Sequence, residues 1–383
     1  MAVRLVWYAP NRKEAYGQEE IDAVVACLND GWLAGFGPRS VEFQEQTAAL
    51  FSKKHGLFVN SGSSACLLAL ACLDLPAGRE VITPACTFST TVAPIIQLNL
   101  APVFCDVGLD TYVAGVEEVM ACVTGATCAI MLPNLIGNKP DWAGLRQALI
   151  AAGRSDIFLV EDSADTITST TETDVSTTSF YASHIITAGG MGGMVMVNDE
   201  AHLKRATMLR DWGRVGDNSE EIAERFAHSV DGIPYDYKFL YGGLGYNMKC
   251  CEMSAAFGLT QLTKFPGFRD TRRRLFNKYK ELLADVPQIR LPDDSIEPLW
   301  MAIPMQTDDR MALLTYLEQQ NIQTRVLFAG NVTRHPVYRK YVKVFANSDK
   351  IMRDGFLLGC HHGMTESDVE YVCSKIVEFF YSG

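Results

Sequence analysis

Residues 157–193 read IFLVEDSADTITSTTETDVSTTSFYASHIITAGGMGG. The apolar run Ile157–Val160 ends in the acidic pair Glu161 and Asp162. A polar linker follows, then a second strand-like run carrying Ser179 and Phe180. His184 stands just past its end, and a glycine-rich turn closes at Gly193. A short unbroken apolar run bounded by polar residues is the pattern of a strand buried on both faces.

The same pattern repeats on either side. Upstream, Leu57–Val59 reads as a strand, Ser61-Gly62-Ser63-Ser64 as a turn and Ala65–Leu73 as a helix. Val81-Ile82 is a strand ending in Thr83-Pro84, Val92–Leu98 a helix, and Pro102–Cys105 and Cys128–Leu132 strands; Trp142–Ala152 is helical. Downstream, Gly193–Val197 reads as a strand and Ala201–Leu209 as a helix. Apolar strands alternating with helices predict an α/β fold with a mainly parallel sheet covered by helices. In such sheets ligands collect at the carboxyl ends of strands, where Ser61, Thr83 and Asp162 all fall.

Helical spacing is also evident in Tyr16–Asp30, ended by Gly31, and in Val41–Phe51. The polar stretch Asp217–Asp236 has no periodicity and reads as a long loop. Met253–Leu262 is an apolar helix leading into an Arg- and Lys-rich bridge, Lys264–Leu283. Beyond it, strand-like Met301–Met305, a helix over Asp309–Gln319 and a closing helix from Glu366 make a smaller unit. We therefore expect a large domain over 1–265 and a small C-terminal α/β domain over 266–383.

Composition narrows the function. The 383 residues are 48% hydrophobic and carry a formal net charge of −11, so a globular protein is expected and a general nucleic-acid binder is disfavoured. The eleven cysteines include no C-x-x-C pair, and adjacent Cys250 and Cys251 are poorly spaced for one metal, so no metal site is expected. Met1–Trp7 leads straight into polar residues, and no apolar run approaches the roughly 18–20 residues of a membrane span. Reduced, buried thiols in a cytoplasmic protein follow.

Four features point to chemistry. Ser61–Ala65 places small residues and hydroxyls where a strand turns into a helix, which suits either an anion site or a simple N-cap. Asp162 at a strand end could hold a protonated ring nitrogen, as pyridoxal phosphate requires, or make a structural ion pair. Phe88, after Thr83-Pro84, could stack on a flat ring or belong to the core. A lone histidine such as His184 could be structural, but its position relative to Asp162 and Ser179 suits a proton-transferring group beside such a cofactor.

The spaced motifs GWLAGFGP, VNSGSSA, ITPACTFSTT, EDSAD, TTSFYASHIIT and GYNMKCCEMSAAFGLTQL resemble, in order and over nearly the whole chain, the DegT/DnrJ/EryC1/StrS sugar aminotransferases. That resemblance implies a fold-type-I PLP-dependent enzyme. It implies that Ser63 and the amide of Ser64 hold the cofactor phosphate with Ser179, that Phe88 stacks on the ring, and that Asp162 pairs with the pyridine nitrogen. Asp165 would stand near the ring hydroxyl, where most members carry Gln or His. Asn247 would reach the phosphate of a partner subunit, giving a homodimer with a shared site.

The departures from the family are informative. Its Schiff-base lysine is expected at position 184, where this chain has His184, and imidazole cannot form that imine. Ser183-His184 and Asp165 resemble the histidine-containing branch, the nucleotide-sugar 3-dehydratases. One subgroup of that branch holds an iron–sulfur cluster through cysteines after Asp-Trp-Gly-Arg; here no cysteine follows Arg214 until Cys250. The resemblance is then to the cluster-free, GDP-4-keto-6-deoxymannose type. It implies a nucleotide-sugar substrate losing its C3 hydroxyl, pyridoxamine phosphate as the working cofactor and glutamate as amino donor. GMGG at Gly190–Gly193 replaces the family's GEGG, and Lys249 stands where arginine is common. Arg325 and Arg334 could meet a diphosphate or make structural pairs. Two other readings stay open: an aminotransferase whose lysine has been replaced, and a non-catalytic cofactor- or sugar-binding regulator.

Overall fold

The computed structural model describes residues 5–10, 15–216 and 219–381. Its main sheet contains β1 (His55–Val59), β2 (Glu80–Pro84), β3 (Ala101–Cys105), β4 (Thr127–Pro133), β5 (Phe158–Ser163), β6 (Val175–Ser179) and β7 (Gly193–Val197), in the order β1-β7-β6-β5-β4-β2-β3. Strands β6, β5, β4, β2 and β3 pair in parallel, while β7 runs antiparallel to both β6 and β1. Strands β1 and β6 consequently point the same way. The carboxyl ends of β1, β2, β5 and β6, and the start of β7, share one edge of the sheet.

The helices are α1 (Gln18–Asp30), α2 (Pro38–Leu50), α3 (Gly62–Ala71), α4 (Ser89–Gln97), α5 (Val116–Met120), α6 (Trp142–Ala151) and α7 (Glu200–Arg210). Helix α3 packs on β6 and β7, α2 on β1, and α4 on β2, β3 and β4. Every residue of β4, β6 and β7 is buried, which explains why these strands read as continuous runs without alternation. Helix α1 stops where Gly31 adopts φ 76°, a left-handed cap that glycine takes without steric cost.

Two expectations need correction. The stretch read as a long loop contains α8 (Ile222–Arg225) and a hairpin of β8 (His228–Val230) and β9 (Ile233–Tyr235). Asp231 and Gly232 form its turn with φ 52° and 80°, the left-handed pair that a two-residue hairpin demands. Both hairpin strands are exposed throughout, so no burial pattern marks them in the sequence. Asp217 and Asn218, the start of that stretch, lie outside the described residues. The apolar helix and the basic bridge are one 32-residue helix, α9 (Glu252–Leu283), with Pro266 inside it. Buried Arg272, Leu275, Phe276, Tyr279 and Leu283 carry the inward stripe through the basic half, and the 265/266 division falls within this helix.

Beyond α9, β10 (Ala302–Gln306), α10 (Arg310–Gln319), β11 (Arg325–Val326), α11 (Ala346–Asp354), β12 (Gly355–Gly359) and α12 (Glu366–Tyr381) complete the chain. A small antiparallel sheet of order β10-β12-β11 forms here, two of whose strands the sequence reading missed. Its core includes Ile303, Phe356 and Leu358, and it is continuous with Leu135 and Ile136 at the end of β4. Among the described residues no helix is long and apolar enough to cross a membrane.

Candidate active site

The carboxyl edge of the main sheet gathers most of the residues singled out in the sequence. Asp162, near the end of β5, is buried and has no cationic partner among the described residues. Its carboxylate accepts hydrogen bonds from Thr91 Oγ1 at 2.7 Å and the Ala164 amide at 3.2 Å. Thr91 is itself oriented by Thr87 Oγ1 at 3.0 Å. Burial raises the proton affinity of Asp162 against these donors. A buried carboxylate without a cation is costly unless a ligand supplies one.

One strand away, Ser179 ends β6 and faces the start of α3. A Cβ on Gly62 would lie 2.6 Å from Ser179 Cβ, so glycine is required for this approach. Ser61 caps α3, accepting from the Ser64 amide at 3.1 Å. The amides of Gly62 and Ser63, in the helix's first turn, have no intrahelical acceptor and are placed to meet an anion beside the Ser179 hydroxyl. Ser63 is exposed. The Ser64 amide is held by Ser61, so its contact with a phosphate would require that cap to be exchanged.

His184 follows in the turn after β6. Its amide donates to Tyr181 O at 3.0 Å, and its Nδ1 lies 3.4 Å from Ser179 O. A carbonyl can only accept, so this contact favours the tautomer with hydrogen on Nδ1 and a lone pair on Nε2. The ring is surrounded by protein yet keeps partial exposure. Burial pushes its pKa down to about 4; the Ser179 carbonyl opposes this and Arg272 adds to it.

Asp165 accepts a 2.8 Å hydrogen bond from the Ile136 amide. Ile136 is buried with φ 62°, a conformation that costs a β-branched residue about 1–3 kcal/mol and is concentrated at functional sites. Burial, with the charge of Asp162 adding, pushes Asp165 up to about 7. Phe88 is 55% exposed and meets Phe328 edge-on at 6.1 Å, so it presents a ring at the surface instead of filling the core.

Asn247 stands apart from this group. It is exposed, bridges to Asp211, and precedes Met248, whose carbonyl receives the Asn60 amide at 2.9 Å. Lys249 lies 3.6 Å from Asp211 and 4.0 Å from the Phe36 ring centroid. Arg334 is engaged by Asp349 through Nη2 at 2.6 Å, the structural alternative. The sequence reading missed Thr91 and Ile136, which set the two site carboxylates. Neither has a local signature, since each acts across at least one intervening strand or helix.

These residues fit pyridoxal phosphate. The donors at the start of α3 suit its phosphate, and the uncompensated Asp162 suits its ring nitrogen. No lysine is present at position 184 to form an imine.

Comparison with known proteins agrees. The model of the DegT/DnrJ/EryC1/StrS aminotransferase family matches residues 14–377. The dTDP-4-dehydro-2,6-dideoxy-D-glucose 3-dehydratase of Saccharopolyspora spinosa is 37% identical, over 94% of this chain and 84% of that protein. The lipopolysaccharide biosynthesis protein RfbH of Salmonella typhimurium is 34% identical, over 97% and 91%. The GDP-4-keto-6-deoxy-D-mannose 3-dehydratase of Escherichia coli O55:H7 is more distant at 26%, over 95% and 98%. A solved structure of the E. coli enzyme of that name, with bound hydrated PLP, shares the fold with TM-score 0.85, 24% identity and coverage of 97% and 100%. The chain has the fold-type-I PLP aminotransferase fold and belongs to the DegT/DnrJ/EryC1/StrS aminotransferase family, as a PLP-dependent nucleotide-sugar 3-dehydratase or aminotransferase.

Proposed function

We propose that this protein is a 3-dehydratase, removing the C3 hydroxyl of a nucleotide-linked 4-keto-6-deoxyhexose, with glutamate restoring the cofactor's amine. The observation that carries this reading is His184, an imidazole at the lysine position, set on the same sheet edge as an unpaired, buried Asp162. The sequence resemblance favoured a GDP sugar. The higher identity to the dTDP-sugar dehydratase, 37% against 26%, now favours a dTDP-linked substrate.

Pyridoxamine phosphate, when bound, supplies an amine that condenses with the sugar ketone and a ring that accepts an electron pair. The amides of Gly62 and Ser63 and the hydroxyl of Ser179 would hold its phosphate, Asp162 would keep its ring nitrogen protonated, Phe88 would cover a ring face and Asp165 would stand near the ring hydroxyl. His184 is the proton carrier. With Nδ1–H turned to Ser179 O, Nε2 would be free to accept a proton and to hand it to the C3 oxygen of the sugar as that oxygen departs as water. The low proton affinity of the ring keeps it a neutral base, and an anionic ligand nearby raises that affinity toward the working pH.

The same reading includes a homodimer. Ile21, Val25 and Leu28 form an exposed apolar stripe on α1, and Trp32 and Leu33 extend it. Exposed Asn247 then has a second copy's phosphate to reach.

The test is product identity. Incubation of the protein with dTDP- or GDP-4-keto-6-deoxyhexose, pyridoxamine phosphate and glutamate should release a 3-deoxy sugar nucleotide. His184→Asn should retain the cofactor and lose about 10²- to 10⁴-fold in rate. His184→Lys should gain a visible-absorbing imine. Full activity in His184→Asn, or amino sugar as the sole product of the native protein, would overturn the reading.

A further inference from the structure

The N-terminal segment is pinned from Val6 to the Tyr8 amide, and no described residue uses the Tyr8 hydroxyl. Val6 pairs with the small unit: its amide donates to Asn321 O, and its carbonyl receives the Gln323 amide, both at 2.9 Å. The Trp7 carbonyl accepts from His361 Nε2 at 3.1 Å. His361 Nδ1 receives the Gly363 amide at 3.2 Å, so this imidazole is neutral with its hydrogen on Nε2. Gly359 lies so close that a Cβ there would stand 2.4 Å from the same Trp7 oxygen. The Tyr8 amide donates to Gln323 Oε1 at 3.2 Å.

The phenol itself behaves differently. It is half-buried, and its hydroxyl makes no hydrogen bond to any described residue. Its ring packs on the apolar cluster that contains Leu135, Ile136 and Leu327. Ile136 is the residue whose strained amide holds Asp165. The Arg325 guanidinium lies 5.3 Å from the ring centroid, within cation–π range. Burial and the nearby Asp165 carboxylate push the phenol's pKa up, against Arg325 and Arg272, so the hydroxyl stays a donor at any working pH.

An anchored backbone that presents a donor no described residue uses, close to the Asp165 carboxylate of the candidate site, is the arrangement of a ligand contact and not of a packing residue. We propose that Tyr8 is a substrate contact, its hydroxyl donating a hydrogen bond to an oxygen of the bound hexose. This assignment rests on the nucleotide-sugar reading above. Sequence reading passed it over because a lone tyrosine far upstream of every motif carries no local sign of where its hydroxyl goes.

The experiment compares the wild type with Tyr8→Phe in the pyridoxal form without amino donor, so that the sugar binds but does not turn over. Calorimetric titration uses two probes, dTDP alone and the dTDP-4-keto-6-deoxyhexose, with the GDP pair run in parallel. Loss of one hydrogen bond should weaken the sugar nucleotide roughly three- to tenfold. Affinity for the free nucleotide, the rate of cofactor amination by glutamate and the melting temperature should be unchanged. Equal affinity of both proteins for the sugar nucleotide overturns the assignment, and so does an equal loss for dTDP alone, which marks a structural role. A wild type that binds the sugar nucleotide but never deoxygenates it sinks the dehydratase reading, while the titration still decides on Tyr8. A wild type that binds no sugar nucleotide overturns both.

Discussion

Glu161 and Asp162 are neighbours on β5, yet they live in opposite worlds, because successive side chains of a strand point to opposite faces. The Glu161 carboxylate is closed off. It accepts from Asn134 Nδ2 at 2.6 Å, Thr170 Oγ1 at 2.8 Å, Ser176 Oγ at 2.5 Å and Thr173 Oγ1 at 3.4 Å. Buried Lys53 completes this knot through Thr173 Oγ1 at 3.0 Å. Among the described residues Asp162 has one hydroxyl, one amide and the Cys66 thiol, and no cation. The first arrangement is saturated and serves the fold. The second keeps a charge in reserve, which makes sense only if a ligand arrives to meet it.

The comparison is broken most severely by exchanging the roles. Asp162→Asn removes the charge that would hold the cofactor's ring nitrogen protonated. We expect sugar turnover to fall on the order of a hundredfold or more, as when a preorganised electrostatic partner is lost. Stability of the cofactor-free protein should hold or rise, because an uncompensated buried charge is gone. Steady-state rates and denaturant melts on the same preparation check both halves. A variant that loses stability and keeps its rate would place Asp162 with Glu161.

Glu161→Gln is the mirror experiment. It turns an acceptor into a donor that faces hydroxyls and an amide already donating, so about 1–3 kcal/mol of stability should be lost. Turnover at a temperature where the variant is fully folded should be close to that of the wild type. Urea unfolding measures the first quantity and the dehydration assay the second. A rate loss without a stability loss would mean that the two faces of β5 are not functionally separate.

How legible the two faces were in the sequence follows from the same geometry. Ile157–Val160 running into Glu161-Asp162 was readable as strand and strand end, because burial on both faces leaves an unbroken apolar run. Ser61–Ser64 was readable as a helix start, because cap residues and small residues are local signals. Nothing in EDSAD says which carboxylate turns to the hydroxyl knot, since Asn134, Thr170 and Ser176 come from other elements. The Asp231-Gly232 hairpin is the reverse case. Its turn signal is local and strong, but with both strands exposed it lacked the alternation that makes strands visible. The role proposed for His184 rests on the motif around it. Its tautomer and its lowered proton affinity came only from the fold, which sets Nδ1 against Ser179 O.

The smallest expected effect sharpens the comparison within the open face. Asp165 and His184 both titrate abnormally, with opposite consequences. Asp165 keeps its proton in the folded protein up to about 7, whereas an unfolded carboxyl loses it near the ordinary aspartate value of 3.8. Between those values the folded state binds more protons, so this group's contribution to stability falls as pH rises through the window. His184, pushed down to about 4, works the other way. Between about 4 and 6.5 the unfolded state holds the extra proton, so stability rises with pH over that span. Asp165→Asn removes the first slope and leaves the second. It keeps an oxygen for the Ile136 amide, so the strained turn should survive. In cofactor-free protein the variant should match the wild type near pH 4 and exceed it at pH 8 by about 1 kcal/mol, the shift being discounted for the partial exposure of the site. Denaturant midpoints at the two pH values decide it. If the difference between variant and wild type does not change with pH, Asp165 is ionised throughout. It then belongs with Asp162 as a second fixed charge and not as the neutral acid that its burial implies.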